Sequence, residues 1–412
     1  MSLATCILSK ACGYDVVPGE FVEVSADIAL GHDVTSPIAI KEMEQIAEKV
    51  WERDKVVICM DHFVPAPNVN TAKQQKFIRE WARKQELKYF FDAGCGVCHQ
   101  ILIDKGIAKP GTVLVGADSH TCSSGAMGCL SISIGSTELG VVMATGKIWL
   151  MVPETILINV KGAMPAWTTG KDLALHLLGV LADFNSDYKV IEFAGEGIGK
   201  LSISDRITIC NMMAESGAKA ALFAPDEEVY SFLRGKNVNF ETVHSDGKAE
   251  YEIDLDLSKI EPMISVPFSP TNVKPITEIE RLTIDQAHLG SCTNGRLEDL
   301  TAAASILKGK KINDNVRFLV SPASREVFQK ALKEGTIDIL VEAGAQIVGW
   351  SCGACFGGHL GILAEGERCI ASTNRNFPGR MGHVGSEVYL SSPYTVAASA
   401  LTGKITDPRS LT

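Results

Sequence analysis

Nothing in the 412 residues reads as a membrane span, because no stretch stays apolar for the roughly 18 residues that crossing a bilayer takes. No useful cluster of Lys and Arg occurs, and the net charge is −10, which removes the basic footprint of a nucleic-acid-binding protein. The opening MSLATCILSKACGYD has neither the apolar core nor the small-residue cleavage site of a secretory signal. Internal repeats and low-complexity segments are absent too. These absences leave a packed cytoplasmic protein as the expectation, with neither membrane nor nucleic acid as partner. The 46% hydrophobic and 21% charged content agrees with a globular chain, and the length suggests two or three domains.

What the chain has in number is cysteine, twelve in all. In a reducing compartment a disulfide framework is not their expected use, so most read as small buried hydrophobes and a few as metal ligands.

Short apolar runs alternate with amphipathic stretches, the pattern of α/β units. Runs at Lys55–Met60, Thr112–Val115, Ile284–Leu289 and Ala345–Val348 read as strands, and Thr71–Lys84, Gly170–Leu181 and Leu297–Leu307 carry helical spacing. Breaks near Val152-Pro153 and in Ser265–Thr277, where three prolines interrupt any regular element, suggest three domains at 1–151, 152–270 and 271–412. A polar cluster follows each run: Asp61-His62, the stretch Gly116–His120, the stretch Gly290–Gly295, and GWSCGACFGGHLG from Gly349. Ligands of α/β sheets bind beyond the carboxyl ends of strands, so the four clusters suggest one shared cleft.

Cys352 and Cys355 form one C-x-x-C pair and Cys95 and Cys98 another. Cys292, in a small polar loop bounded by glycines, is the natural third partner of Cys352 and Cys355, and three thiolates on two loops suit a [4Fe–4S] cluster with one corner open. A Cys₄ zinc site from the two pairs, or plain buried thiols, are equally compatible with the spacing. Among the histidines, His62, His99 and His120 sit in polar clusters, two of them with an aspartate close by in sequence, Asp61 and Asp118, as a general acid requires, while His32 is a weaker candidate. His176, His244 and His288 read as structural. Arg375 and Arg380 share one loop with Asn374 and Asn376, and paired guanidinium forks suit a di- or tricarboxylate.

Together GADSHT, GVCHQ, LGSCTNGR, SCGAC and NRNFPGR resemble the aconitase superfamily, most closely its separate large subunits of the isopropylmalate isomerase and homoaconitase type. The resemblance runs from HDVTSP at 32–37 to SPYTVAASALTG at 392–403. It implies an α/β chain of three α/β/α layered domains around a central iron–sulfur cleft, lacking the family's swivelling fourth domain. By the same resemblance, Cys292, Cys352 and Cys355 hold one [4Fe–4S] cluster per subunit and the Cys95 pair is not involved. Catalysis falls to Asp61 with His62, His99 with Asp118, and His120 with Glu215. His32, Ser119, Asn211, Asn374, Arg375 and Arg380 fall in the substrate set. The catalytic serine belongs to the missing domain, so the resemblance implies a small-subunit partner, a heterodimer and an inactive isolated chain.

The implied reaction is hydro-lyase isomerisation of 2- and 3-isopropylmalate in leucine biosynthesis. Alternatives with the same chemistry are homoaconitase and a dimethylmalate or citramalate-type dehydratase. An iron-responsive RNA-binding protein is a remote alternative that the acidic charge opposes. One departure from the family pattern stands out: Ser124 replaces a histidine usual after DSHTC.

Overall fold

The computed structural model describes residues 1–412 apart from 244, 280 and 412. His244, expected to be structural, therefore lies outside the described residues. Two of the three larger sheets are wholly parallel. The first runs in the order Tyr89–Phe91, Val56–Cys59, Ile28–His32, Val113–Gly116, Leu130–Ser133. The second runs Ala220–Phe223, Val190–Ala194, Thr155–Lys161, Tyr251–Asp256. Strands such as VVIC at 56–59 and VLVG at 113–116 are buried along their whole length, because helices cover both faces of a parallel sheet.

The third sheet has seven strands. Five parallel ones run Glu387–Ser391, Arg368–Ala371, Gln286–Gly290, Arg317–Ser321, Gln346–Ile347, and an antiparallel hairpin closes one edge. That hairpin, Met263–Ser265 with Val273–Pro275, lies in the proline-rich segment expected to be irregular. The prolines do not prevent it: Pro267 and Pro270 fall in the turn, and Pro275 ends an edge strand whose outer side needs no donor. A small antiparallel pair, Phe21–Ser25 with Lys147–Met151, completes the sheets.

The expected helices are present as Val69–Lys84, Gly170–Ala182 and Leu297–Leu307. Helix Ile203–Met213 starts at a capping box in which Ser202 and Asp205 satisfy each other's backbone N–H groups. It ends in a tight turn, Ala214–Ser216, so that Asn211 and Glu215 reach the junction of all three larger sheets. No helix among the described residues is long and apolar enough to cross a membrane.

Candidate active site

The site forms where strand ends converge. His32 closes Ile28–His32, Asp61-His62 follow Val56–Cys59, and Asp118-Ser119-His120 follow Val113–Gly116. From the third sheet, Cys292 follows Gln286–Gly290, Cys352 and Cys355 follow Gln346–Ile347, and Asn374-Arg375 follow Arg368–Ala371. All these loops except the Asp61 turn, which contributes only His62, put both or all of their named residues on the wall of one cavity of about 440 Å³. Of the fifteen site residues expected from the sequence, only Asp61, Asn211 and Glu215 stand behind that wall.

Asp118 organises the histidine side. Its Oδ1 bonds His99 Nε2 at 2.8 Å and the His120 backbone N–H at 2.7 Å, while Oδ2 lies 3.4 Å from both His62 Nε2 and His32 Nε2. Burial pushes this carboxyl up, but His99, His120 and His62 together hold it well below the usual carboxylate range. His120 Nε2 in turn bonds Glu215 at 2.9 Å, and Glu215 also accepts the Arg375 Nε–H at 2.8 Å. Arg375 reaches Ser119 Oγ at 3.3 Å.

Asp61 Oδ1 bonds His62 Nδ1 at 2.8 Å. Burial lowers the His62 pKa, yet the Cys352 sulfur and Asp61 raise it well above the ordinary value. His32 stacks on His62 with ring centroids 4.0 Å apart; burial and then the His62 charge depress it to about 4. Two stacked imidazoles thus divide the roles, one charged and one neutral.

The cysteine side is built from amides. Asn211 Nδ2 donates to Cys292 Sγ at 3.3 Å, Asn374 Nδ2 donates to it at 3.4 Å, and the Cys355 thiol donates to Asn374 Oδ1 at 3.3 Å. Asn211, placed by its motif in the substrate set, meets a cysteine sulfur from behind and does not reach the cavity. The Cys352 N–H donates to the Asp61 carbonyl at 3.0 Å, which joins the two sides through backbone. Glycines let the loops close: Gly290 has φ 129° and a Cβ there would lie 2.0 Å from Ser321 O, and Gly357 has φ 71° with a Cβ 2.8 Å from Arg380 O. Ser124 is fully buried, its Oγ has no partner, and it does not line the cavity.

Three features escaped the sequence reading. Asp33 accepts backbone N–H groups of Asp61, His62 and Phe63 at 2.9–3.2 Å, clamping the acid turn. Phe356 packs edge-on against His62, and the start of helix Ser136–Thr145, with Glu138, forms the far wall. The placement of Asp33 beside a strand-end histidine was the one available signal. His32, Asp33, Asp61 and His62 lie close enough to suggest a cation site, but each oxygen of Asp33 and Asp61 already accepts a hydrogen bond.

The description "Aconitase family (aconitate hydratase)" matches residues 15–403. The chain belongs to the aconitase family. Among curated relatives, the 3-isopropylmalate dehydratase large subunit 1 of Methanopyrus kandleri is 47% identical over 99% of each chain. The 3-isopropylmalate dehydratase large subunit of Hydrogenobaculum sp. is 47% identical over 96% of this chain and 94% of its own. That of Aquifex aeolicus is 44% identical over 99% of this chain and 97% of its own. As an aconitase-family member the chain is an enzyme of the hydro-lyase class, and the family implies an iron–sulfur cluster.

The donor set fits such a cluster better than a single ion. Thiolates on one tetrahedral zinc stand ~3.8 Å apart, given bonds of about 2.3 Å. Cys292, Cys352 and Cys355 face one cavity without all coming within 4.8 Å of one another, as sulfurs spread around a polynuclear core must. The alternative Cys₄ grouping does not assemble, since no such set comes together among the described residues. Cys98 is buried, its N–H bonded to Asp61 Oδ2, and neither it nor Cys95 lines the cavity.

Proposed function

We propose that this aconitase-family chain is the large subunit of a [4Fe–4S] hydro-lyase interconverting 2- and 3-isopropylmalate by dehydration and rehydration. The observation that carries the reading is the single cavity joining three cysteine sulfurs, a carboxylate-wired set of histidines and Arg380. Near-full-length identity to relatives of that name supports the substrate and a separate small subunit. A cytoplasmic location is part of the same proposal; no helix among the described residues is long and apolar enough to cross a membrane.

Cys292, Cys352 and Cys355 would hold the cluster. When bound, it supplies a Lewis-acidic iron that makes the substrate hydroxyl a better leaving group. His62, held charged by the Cys352 sulfur and by Asp61 on its Nδ1, delivers the Nε2 proton to the departing hydroxyl. Asp118 sets the orientation of His99 and His120. Arg380 has a buried Nε with no partner among the described residues, ready for a substrate carboxylate, whereas Arg375 is held by Glu215 and orders the site. The base that takes the carbon-bound proton is a serine of the small subunit.

Anaerobic reconstitution of the chain with the small subunit, followed by rates on isopropylmalate, homocitrate or homoaconitate, and dimethylmalate, tests this. Isopropylmalate should be strongly preferred, and the chain alone should take up the cluster without turnover. Preference for another acid would overturn the substrate, and turnover by the single chain would overturn the partner.

A further inference from the structure

We propose that Lys171 is the buried counter-cation of the cluster, an assignment that rests on the cysteine reading above. Its side chain is wholly buried. Nζ donates to the carbonyls of Thr373 and, at 3.3 Å, Ser372, and lies 3.4 Å from Met212 Sδ. No carboxylate lies within ion-pairing distance among the described residues. The adjacent Asp172 faces elsewhere, accepting backbone N–H groups of Met263 and Thr169.

The position is doubly unfavourable for a cation. Lys171 stands in the first turn of helix Gly170–Ala182, at the positive end of the helix dipole. A buried charge without a partner is also expensive. Burial accordingly pulls its pKa down to about 7, against an upward pull led by the Cys355 sulfur and continued by Asp172, Cys292 and Glu215. Geometry places it behind the cysteine wall: Thr373 precedes Asn374, which bonds Cys292 and Cys355, and Met212 follows Asn211, which bonds Cys292. Neutral thiols offer such a cation little, whereas thiolates carrying an iron–sulfur core offer net negative charge. Groups just outside the ligands set both metal retention and cluster potential by charge and hydrogen bonding.

The competing role is a mere strut for the Ser372 and Thr373 carbonyls, which lead into Asn374 and Arg375. Lys171→Gln keeps an N–H donor and removes the charge; Lys171→Met removes both. The full chain is prepared cluster-free and anaerobically reconstituted, and two quantities are read: the rate at which a chelator bleaches the visible absorbance, and the gain in Tm on reconstitution. Both variants should bleach about tenfold faster than wild type, with a smaller gain in Tm. Wild-type bleaching and gain in the Gln variant would overturn the assignment in favour of the strut. So would variants whose loaded and cluster-free forms lose Tm equally while bleaching stays unchanged. A wild-type chain that takes up no cluster would instead overturn the cysteine reading, and this assignment with it.

Discussion

The two sides of the cavity are held by opposite chemistry. On the histidine side every ring is tied to a carboxylate: His62 to Asp61, His99 to Asp118, His120 to Glu215. On the cysteine side the Cys292 and Cys355 sulfurs meet the amides of Asn211 and Asn374, the Cys352 sulfur faces His62, Arg296 donates to the Cys292 carbonyl, and no carboxylate bonds a sulfur among the described residues. Carboxylates raise the basicity of imidazoles and would repel thiolates, so one cleft sustains both only by keeping them on separate walls. The histidine wall is complete as protein. The cysteine wall offers donors and positive charge to something anionic.

The sharpest way to break this comparison is to empty one wall and inspect the other. Cys352→Ser should abolish both cluster absorbance and turnover of the reconstituted enzyme, whereas Cys95→Ser should keep both. Asp118→Asn should do the converse, retaining the absorbance while kcat falls about 10²- to 10⁴-fold, the usual worth of general acid–base groups. Retention of activity in Asp118→Asn would dissolve the distinction between the walls.

Arg380→Lys should raise KM about tenfold with a smaller change in kcat, since a point charge replaces a fork at the carboxylate. The smallest effect concerns acid stability. The Asp118 carboxyl is depressed in the folded state, so its contribution is present above the unfolded value of roughly 4 and fades as pH falls through the lower folded one. Asp118→Asn should therefore flatten the acid limb of a melting-temperature profile below about pH 4.

Most of the site was legible because its residues follow apolar strands, and a parallel sheet brings the ends of its strands together whatever lies between them. The helices were legible for the same local reason: spacing and caps. What escaped depends on contacts far apart in sequence. Asp33 shows nothing in HDVTSP of the three N–H groups it will accept 28 to 30 residues later. Lys171 reads as an ordinary solvent-facing lysine in a helical stretch, and only the docking of the second sheet on the third buries it. The hairpin at 263–275 was hidden by its prolines, which forbid central strands and tolerate edges. Asn211 could be assigned to the site but not to a direction, because whether an amide faces a sulfur or a ligand depends on which way helix Ile203–Met213 is turned.

The clamp at Asp33 has a consequence for supply. Three of the bonds that hold the acid turn come from Asp33 and one, the Cys352 N–H on the Asp61 carbonyl, from a cysteine loop, so a chain without its cluster should keep most of that turn set. Such a chain should be stock rather than waste, reloadable without new protein.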